Sequence, residues 1–428
     1  MKRNLSVHAL VFSLLCTILS CAPQQKLIPP GKAIYVMKDD PEMNLKSDTS
    51  RYSYHRMAYS DNIVVFWEKG FGKDPSKAPD LNGKPMTFDV QNLLKQTERF
   101  YTYYRDTLKF LDVASKADTF RMMIVVKYSE EGTAYGGDYG GVIGAAWATP
   151  VRLQDIKLNA LAHELGHSFQ ALTSIDRRTW TGGGGIMEIA AQWLLWQVNP
   201  DWVTDENYHW KAYMKETHLS LFHYRNMYRA PYMLEYWSDK HGPEIISKLW
   251  GNGKKGEDIV QTYQRLTSIS QEQFNTEVFD ASRRYITYDY DRVRDNMKPY
   301  ANKHFSVMDT LEDGWYKIAD TCCLQNYGYN GIQLVVPEGG SQVSIQFEGL
   351  ETQTKGGWRY GLVSSDKDGN PTYSEMYADP KGTINYQVPS NTAYLWLVVT
   401  GVPDEHSLSD KQTWPYKIKL KGTDLFLR

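Results

Sequence analysis

The stretch His163-Glu164-Leu165-Gly166-His167 restricts this chain more than any other part of it. Residues four apart lie on one face of an α-helix, so in a helix both imidazoles reach one metal ion. The surrounding pattern is helical. Between Gln154 and Leu172, the residues Leu158, Leu161, Leu165, Phe169 and Leu172 recur at steps of three and four, which makes one buried stripe. The two histidines sit off that stripe. Asp155 stands at the start, where its carboxylate can accept a bond from an unpaired N–H of the first turn. Glu164 is then poised to take a proton from a metal-bound water, as in a zinc hydrolase. The plainer alternative is a buried helix with two hydrogen-bonded histidines.

Catalytic zinc takes three protein ligands and keeps a fourth position for water. Two histidines are therefore not enough. Glu188 opens a second helical segment, Met187-Glu188-Ile189-Ala190-Ala191-Gln192-Trp193 and on to about Val198, with Ile186, Ala190, Leu194 and Gln197 near one face. The run Thr181-Gly182-Gly183-Gly184-Gly185 between the two helices can turn the chain sharply, because glycine tolerates positive φ. Helix, loop and helix can thus bring Glu188 to the histidines. The alternative role for Glu188 is a first-turn acid favoured by the helix dipole. The expectation is one zinc ion per chain, held by His163, His167 and Glu188.

His163-Glu164-x-x-His167 with Glu188 on a following helix resembles the gluzincins, the thermolysin-like and aminopeptidase-N-like zinc peptidases. Met187-Glu188-Ile189-Ala190-Ala191-Gln192-Trp193 is similar to their second-helix pattern, Asn-Glu-Gly-Phe-Ala-x-Tyr/Trp. The likeness covers roughly residues 120–250. It implies that Glu164 is the general base and then carries the proton to the leaving amine. Chemistry points the same way: zinc brings the pKa of its water to about 7 and polarises a carbonyl, and the base must reach that water. The whole chain also resembles bacterial lipoproteins that join a zincin-like domain to a C-terminal β domain.

The chain departs from the family in two places. Thermolysin-like enzymes carry an Asp four residues after the glutamate ligand, which orients a ligand histidine. Here Gln192 stands at that position. Its carbonyl can accept from an imidazole N–H but adds no negative charge. The Gly-x-Met-x-Asn signature of the aminopeptidases is absent, so aminopeptidase activity is not implied.

A peptidase of this kind also needs a donor for the tetrahedral oxyanion, usually a Tyr or His beyond the third ligand. The segment from His223 to Tyr232, ahead of Tyr236–Gly242, resembles the aminopeptidase-like arrangement and nominates Tyr228, with His223 and Tyr224 as rivals. A packing tyrosine is the alternative in a chain with 30 Tyr. Zincins further present an edge strand upstream of the zinc helix. Tyr135–Trp147 falls there, and its small residues let another backbone approach closely. The alternative is a flexible loop with a short strand.

The N-terminus reads as an address. Lys2 and Arg3 precede an apolar stretch from Leu5 to Leu19, too short to span a bilayer comfortably. Ile18-Leu19-Ser20-Cys21 resembles a lipobox, which implies cleavage after residue 20, lipidation of Cys21 and a place in the bacterial cell envelope outside the cytoplasm. An ordinary secretory signal is the alternative. Residues 21–30, with Pro23, Pro29 and Pro30, read as a tether. The formal net charge is −2 and no Lys/Arg-rich run appears, so nucleic-acid binding has little support. Of the 4 Cys, only Cys322 and Cys323 remain after Cys16 and Cys21. This excludes a disulfide framework and leaves two buried thiols or a strained adjacent-cysteine ring.

The expected fold class is α+β: a zincin-like catalytic domain over 31–300, built from a mixed sheet, the motif helix and a helical subdomain, then an all-β sandwich over 305–428. Strand candidates Asn62–Trp67 and Met122–Val126 flank a helix at Asp89–Leu111. Helical periodicity marks Tyr208–Thr217, Pro231–His241, Pro243–Trp250, Asp258–Leu266 and Gln271–Asp289. Beyond Pro299 short apolar runs alternate with turn signals, and about eight strands suggest a sandwich. Asp366-x-Asp368-x-Asn370 reads as a hairpin turn, since Pro371 follows where a calcium loop needs glycine. Trp358, Tyr360, Tyr373 and Tyr377 read as core residues in a chain that is 13% aromatic, with a sugar-stacking platform as the other possibility.

The function expected is a lipid-anchored zinc metallopeptidase acting on extracytoplasmic proteins, peptides or glycoproteins. The second expectation is a non-catalytic glycan- or protein-binding lipoprotein on the same scaffold.

Overall fold

The computed structural model describes residues 28–111, 114–179, 183–338, 341–352 and 355–426. The signal segment 1–20, Cys21, residues 22–27 of the tether, and Thr181 and Gly182 of the glycine run lie outside the described residues.

The fold is mixed α+β. The N-terminal sheet comprises β1 (Met57–Tyr59), β2 (Ile63–Trp67), β3 (Met122–Val126), β4 (Ala134–Tyr139) and β5 (Ile143–Ala148), in the order β1-β2-β3-β5-β4. Strands β2, β3 and β5 are parallel; β1 and β4 run antiparallel at the two edges. β2 and β3 carry no charged side chain, as strands covered on both faces require. Ile63, Val65, Met122 and Ile124 face the main core, while Val64, Phe66, Met123 and Val125 face a smaller one with Met43, Leu45 and Tyr52.

The helices are α1 (Val90–Thr102), α2 (Lys116–Thr119), α3 (Asn159–Arg177), α4 (Gly185–Val198), α5 (Trp202–Asp205), α6 (Asn207–Tyr213), α7 (Tyr232–His241), α8 (Ile245–Asn252), α9 (Ile259–Thr267) and α10 (Gln271–Tyr285). Their boundaries correct the periodicity in several places. Asp89 caps α1, but the α-helix stops at Thr102 and a wider π-turn follows over Tyr103–Thr107. That turn rotates Tyr104 inward, where its hydroxyl donates to the Ala162 carbonyl of α3 at 3.0 Å. The motif helix starts at Asn159 rather than Gln154. Leu158 is left-handed (φ 54°), and the Asp155 carboxylate folds the preceding turn by accepting from the Lys157 and Asn159 N–H groups, both at 3.0 Å. α6 and α10 are shorter than their apolar patterns; a left-handed Tyr288 (φ 53°) keeps the chain from continuing helically to Asp289.

α3 lies on the sheet and α4 lies on α3. α4 is buried nearly all round, from Ile189 to Val198, so it is a central helix rather than an amphipathic surface one. It is tied to α7 through Glu235, which is 2% exposed. The Glu235 carboxylate accepts from Arg292 Nε and Nη2 (both 2.8 Å), Trp193 Nε1 (3.0 Å) and Gln197 Nε2 (3.0 Å). Arg292→Ala removes the counter-charge and leaves a buried carboxylate with two neutral donors. The expected cost is about 3 kcal/mol, read as a lower urea midpoint with an unchanged slope.

The C-terminal strands are β6 (Met308–Thr310), β7 (Trp315–Ile318), β8 (Leu324–Gln325), β9 (Tyr329–Leu334), β10 (Gln342–Gly349), β11 (Gly356–Ser365), β12 (Pro371–Tyr373), β13 (Lys381–Gln387), β14 (Tyr394–Pro403), β15 (Thr413–Trp414) and β16 (Tyr416–Lys421). They form two antiparallel sheets, β13-β10-β16-β7-β6 and β12-β11-β14-β9, with β15 and β8 as a short ribbon. Ile345 and Ile418 of the first sheet and Leu362 and Leu397 of the second share one core. Alternate residues of β14 point the other way: Trp396 and Val398 join Phe274 and Val278 of α10 in the main core. The second sheet is thus covered by a helix on its outer face. Trp358 and Tyr360 are buried, and Tyr360 stacks on Phe347 (4.0 Å) and Tyr377 (5.7 Å), so they are packing residues rather than a sugar platform. Tyr373 donates to Asp289 at 2.8 Å. The Asp366 carboxylate accepts from the Asp368 and Asn370 N–H groups and closes the β11–β12 turn. Cys322 and Cys323 carry free thiols and are half-buried rather than buried. Among the described residues, no helix is long and apolar enough to cross a membrane.

Candidate metal centre

Helix α3 presents His163 and His167 on the face turned toward α4, and the first turn of α4 delivers Glu188. The Oε2 atom of Glu188 lies 3.0 Å from His163 Nε2 and 3.2 Å from His167 Nε2. The three ligand atoms fall within 4.8 Å of one another, and among the described residues this is the one group of three or more His, Cys, Asp or Glu side chains that converge so. The packing that permits it is close. Gly166 of α3 sits against Ala191 and Leu194 of α4, where an added Cβ would meet Leu194 Cδ1 at 3.1 Å.

Each imidazole is gripped from behind. His163 Nδ1 is 2.5 Å from Gln192 Oε1, and Gln192 Nε2 donates to the Tyr228 carbonyl at 3.1 Å. His167 Nδ1 is 2.9 Å from Gln170 Oε1, and Gln170 Nε2 donates to the Met187 carbonyl at 3.0 Å. A backbone carbonyl only accepts, so each carboxamide must turn its NH₂ to the carbonyl and its oxygen to the histidine. Both Nδ1 atoms then carry hydrogen, and both Nε2 atoms are turned to Glu188. Two imidazole nitrogens and a carboxylate oxygen are a donor set suited to zinc.

The electrostatics agree with a cation site. Burial opposes ionisation of Glu188, but hydrogen bonds from His163 and His167 prevail and hold its carboxyl far below the usual range. Burial also disfavours the charged form of His167, yet the bond to Glu188 outweighs it and lifts the imidazole above its ordinary value. A divalent cation can bind here by displacing the proton that His167 and Glu188 share.

Glu164 lies between the histidines and faces the same cleft. Burial pushes its carboxyl up; His163 and His167 pull it down, Glu188 pushes it up, and the Gly136 N–H of β4 lowers it again by donating to it. The net shift is upward, toward the range useful to a general base. β4 is the free edge of the sheet, and it lies so close to α3 that a Cβ on Gly136 would be 1.8 Å from the Glu164 carbonyl oxygen. The cleft encloses about 670 Å³ between β4, α3 and α4, and Arg152, Glu206, Tyr208 and His209 also line it.

Tyr228 borders this cleft, with its ring 5.8 Å from that of His163. Burial, then the charge of Glu188 and a hydrogen bond to it, raise its hydroxyl above the ordinary value, so it stays a donor at neutral pH. His223 and Tyr224 do not line the cleft. Tyr224 is 66% exposed, and His223 accepts from the Arg225 N–H at 3.2 Å. Sequence reasoning missed Gln170, and it placed Gly136 in a small-residue edge strand without its contact to α3. A buried glutamine three residues after His167 on the same helix face was the available signal for the first; a glycine pair in an edge strand was the signal for the second.

A family model described as a family of unknown function (DUF6055) matches residues 27–426. No curated protein matches the chain. Four solved chains do. One is the M60 catalytic domain with the CBM51-1 and CBM51-2 domains from Clostridium perfringens ZmpB, at 11% identity and a TM-score of 0.33, covering 88% of this chain and 60% of that one. The chain thus spans less than two thirds of the length of that structure. Another is the ZmpB metallopeptidase from Clostridium perfringens, at 15% identity and a TM-score of 0.32, covering 84% of this chain and 69% of that one. A third is the Yersinia pseudotuberculosis-derived mitogen, at 9% identity and a TM-score of 0.19, covering 29% of this chain and 97% of that one.

Proposed function

We propose that this chain, which belongs to the family of unknown function DUF6055, is a zinc-dependent peptidase that hydrolyses peptide bonds of extracytoplasmic proteins or glycoproteins. The observation that carries the reading is the convergence of His163, His167 and Glu188 in a cleft that also holds Glu164 and the free edge of β4. His163, His167 and Glu188 would hold the ion. Zinc, when bound, supplies a Lewis acid that polarises the scissile carbonyl and acidifies water.

The chain's own residues do the rest. The N–H and C=O groups of β4 align an extended peptide by strand addition, and Gly137 leaves open space for it. Glu164 takes the proton of the attacking water and passes it to the leaving amine. The Tyr228 hydroxyl donates to the oxygen on which charge develops. Gln192 joins two of these parts, since it holds His163 with its oxygen and the Tyr228 backbone with its nitrogen.

The rest of the proposal concerns organisation and place. Residues 31–300 form the catalytic part and 305–428 a β-sandwich part, supported by the two sheets that enclose a common core. Cleavage after residue 20 and lipidation of Cys21 would anchor the chain in the bacterial cell envelope, supported by the N-terminal pattern alone.

A second reading keeps the scaffold and drops the chemistry: an envelope lipoprotein that binds glycan or protein. Gln192 favours it, because a neutral carboxamide raises the basicity of a ligand histidine less than a carboxylate does. Metal analysis of the chain from residue 26 onward separates the two. About one zinc per chain is expected, lost in His163→Ala/His167→Ala. A wild-type chain that takes up no zinc at neutral pH puts the binding reading in front.

A further inference from the structure

We infer that Gln170 is a positioning residue of this centre: it sets the tautomer of His167 and locks that histidine to the helix turn that carries Glu188. The inference rests on the metal-site reading above and names a part of it that no motif supplies.

Gln170 is fully buried. It follows His167 by three residues on α3, so its side chain stands beside the imidazole on the same face. Both ends of its carboxamide are used. The oxygen is 2.9 Å from His167 Nδ1, and the nitrogen donates to the Met187 carbonyl at 3.0 Å. Met187 immediately precedes Glu188 in the first turn of α4. One amide group therefore spans two helices and two ligands. Because the Met187 carbonyl can only accept, the amide cannot be turned over without facing two acceptors together. The oxygen is thus fixed on His167, Nδ1 keeps its hydrogen, and Nε2 is the nitrogen held toward Glu188.

An alternative partner for His167 Nδ1 would lack this directionality. A water can donate or accept and leaves the tautomer free. A leucine of similar size fills the space but leaves Nδ1 and the Met187 carbonyl without partners. A glutamate keeps an acceptor for Nδ1 and loses the bond to Met187. These differences make the role separable from packing.

The experiment uses the full chain and zinc alone. Zinc affinity is measured by competition with a chromophoric chelator for wild type, Gln170→Leu and Gln170→Glu, with thermal unfolding of each metal-free protein as the control for folding. Hydrogen on His167 Nδ1 is read from long-range ¹H–¹⁵N spectra of the metal-free wild type. The inference expects hydrogen on His167 Nδ1, zinc binding weakened about 10- to 100-fold in Gln170→Leu, and partial recovery in Gln170→Glu, which keeps the acceptor for Nδ1 and loses the bond to Met187. Unchanged affinity in a folded Gln170→Leu overturns it, and so does equal weakening in both variants, which would mean that packing alone matters. Should Gln170→Leu fail to fold, a His167 Nδ1 without hydrogen in the wild type still overturns it. A wild-type chain that binds no zinc overturns the metal-site reading itself, an outcome distinct from the loss of this inference alone.

Discussion

Glu164→Gln is expected to keep its zinc and lose its peptidase activity. The carboxamide has nearly the volume of the carboxylate, and its oxygen can still accept from the Gly136 N–H that now meets Glu164. Helix α3 therefore keeps its seat under β4, and His163 and His167 keep their places. What is lost is the capacity to take a proton. General acid–base catalysis of this kind contributes about 10²–10⁴-fold, so kcat/KM should fall by that factor against a peptide library while bound zinc per chain stays at the wild-type value. Activity within a few-fold of wild type would remove Glu164 from the mechanism. Retention of zinc is the essential control, because loss of both together would report only a damaged site.

Gly136→Ala is expected to cost the protein more than any surface change and to abolish the cleft's function. The new Cβ would sit 1.8 Å from the carbonyl oxygen of Glu164, with the Glu164 carbonyl carbon at 2.6 Å and its Cα at 2.9 Å. All three atoms belong to helix backbone, so no side chain can swing aside. Either β4 leaves α3 or the helix shifts, and both movements displace the carboxylate that Gly136 contacts. Overpacking usually costs about 1–3 kcal/mol; a backbone clash between a strand and the central helix belongs at or above the top of that range. The measurement is a denaturant melt beside the peptidase assay. A variant as stable and as active as wild type would mean that β4 does not lie on α3 in the way described. Gly137→Ala is the matched control for stability, since nothing lies within 4 Å of its added Cβ.

The site shows which kinds of information a sequence carries. The His163-Glu164-x-x-His167 spacing fixes two imidazoles on one helical face through the 3.6-residue period alone. Glu188 was legible because coordination chemistry asks for a third ligand and a glycine-rich turn allows the return. Gln192 was legible from its position one turn after Glu188. Gln170 was not, because a buried glutamine on a helix has many uses, and its partner carbonyl belongs to a residue brought near only by packing. Gly136 was legible as one of the small residues that let another backbone approach, but not that this backbone is the motif helix, which the local sequence does not contain. Tyr228 was one nominee among three; the path of the loop between α6 and α7 turned His223 and Tyr224 away from the cleft.

Helix ends divide in the same way. Asp89 marks the start of α1 by a local bond to its own first turn. The end of α1 was hidden, because the π-turn at Tyr103–Thr107 comes with the burial of Tyr104 against Ala162, a contact with a helix far along the chain. The C-terminal strands were readable from alternation, but the cover on β14 was not: Trp396 and Val398 meet α10, and only the three-dimensional arrangement pairs them.

By itself, then, the sequence determined what repeats locally: the periods of helix and strand, the turns of glycine and aspartate, and the spacing of two histidines on one helix. The tertiary structure decided what depends on two distant segments meeting: which glutamines orient the histidines, which glycine admits the helix, which tyrosine borders the cleft and which face of a sheet is covered. The physical reason is range. Backbone geometry and capping bonds act over a few residues, whereas the hydrogen bonds and close contacts that complete a site join atoms whose separation along the chain says nothing of their separation in space.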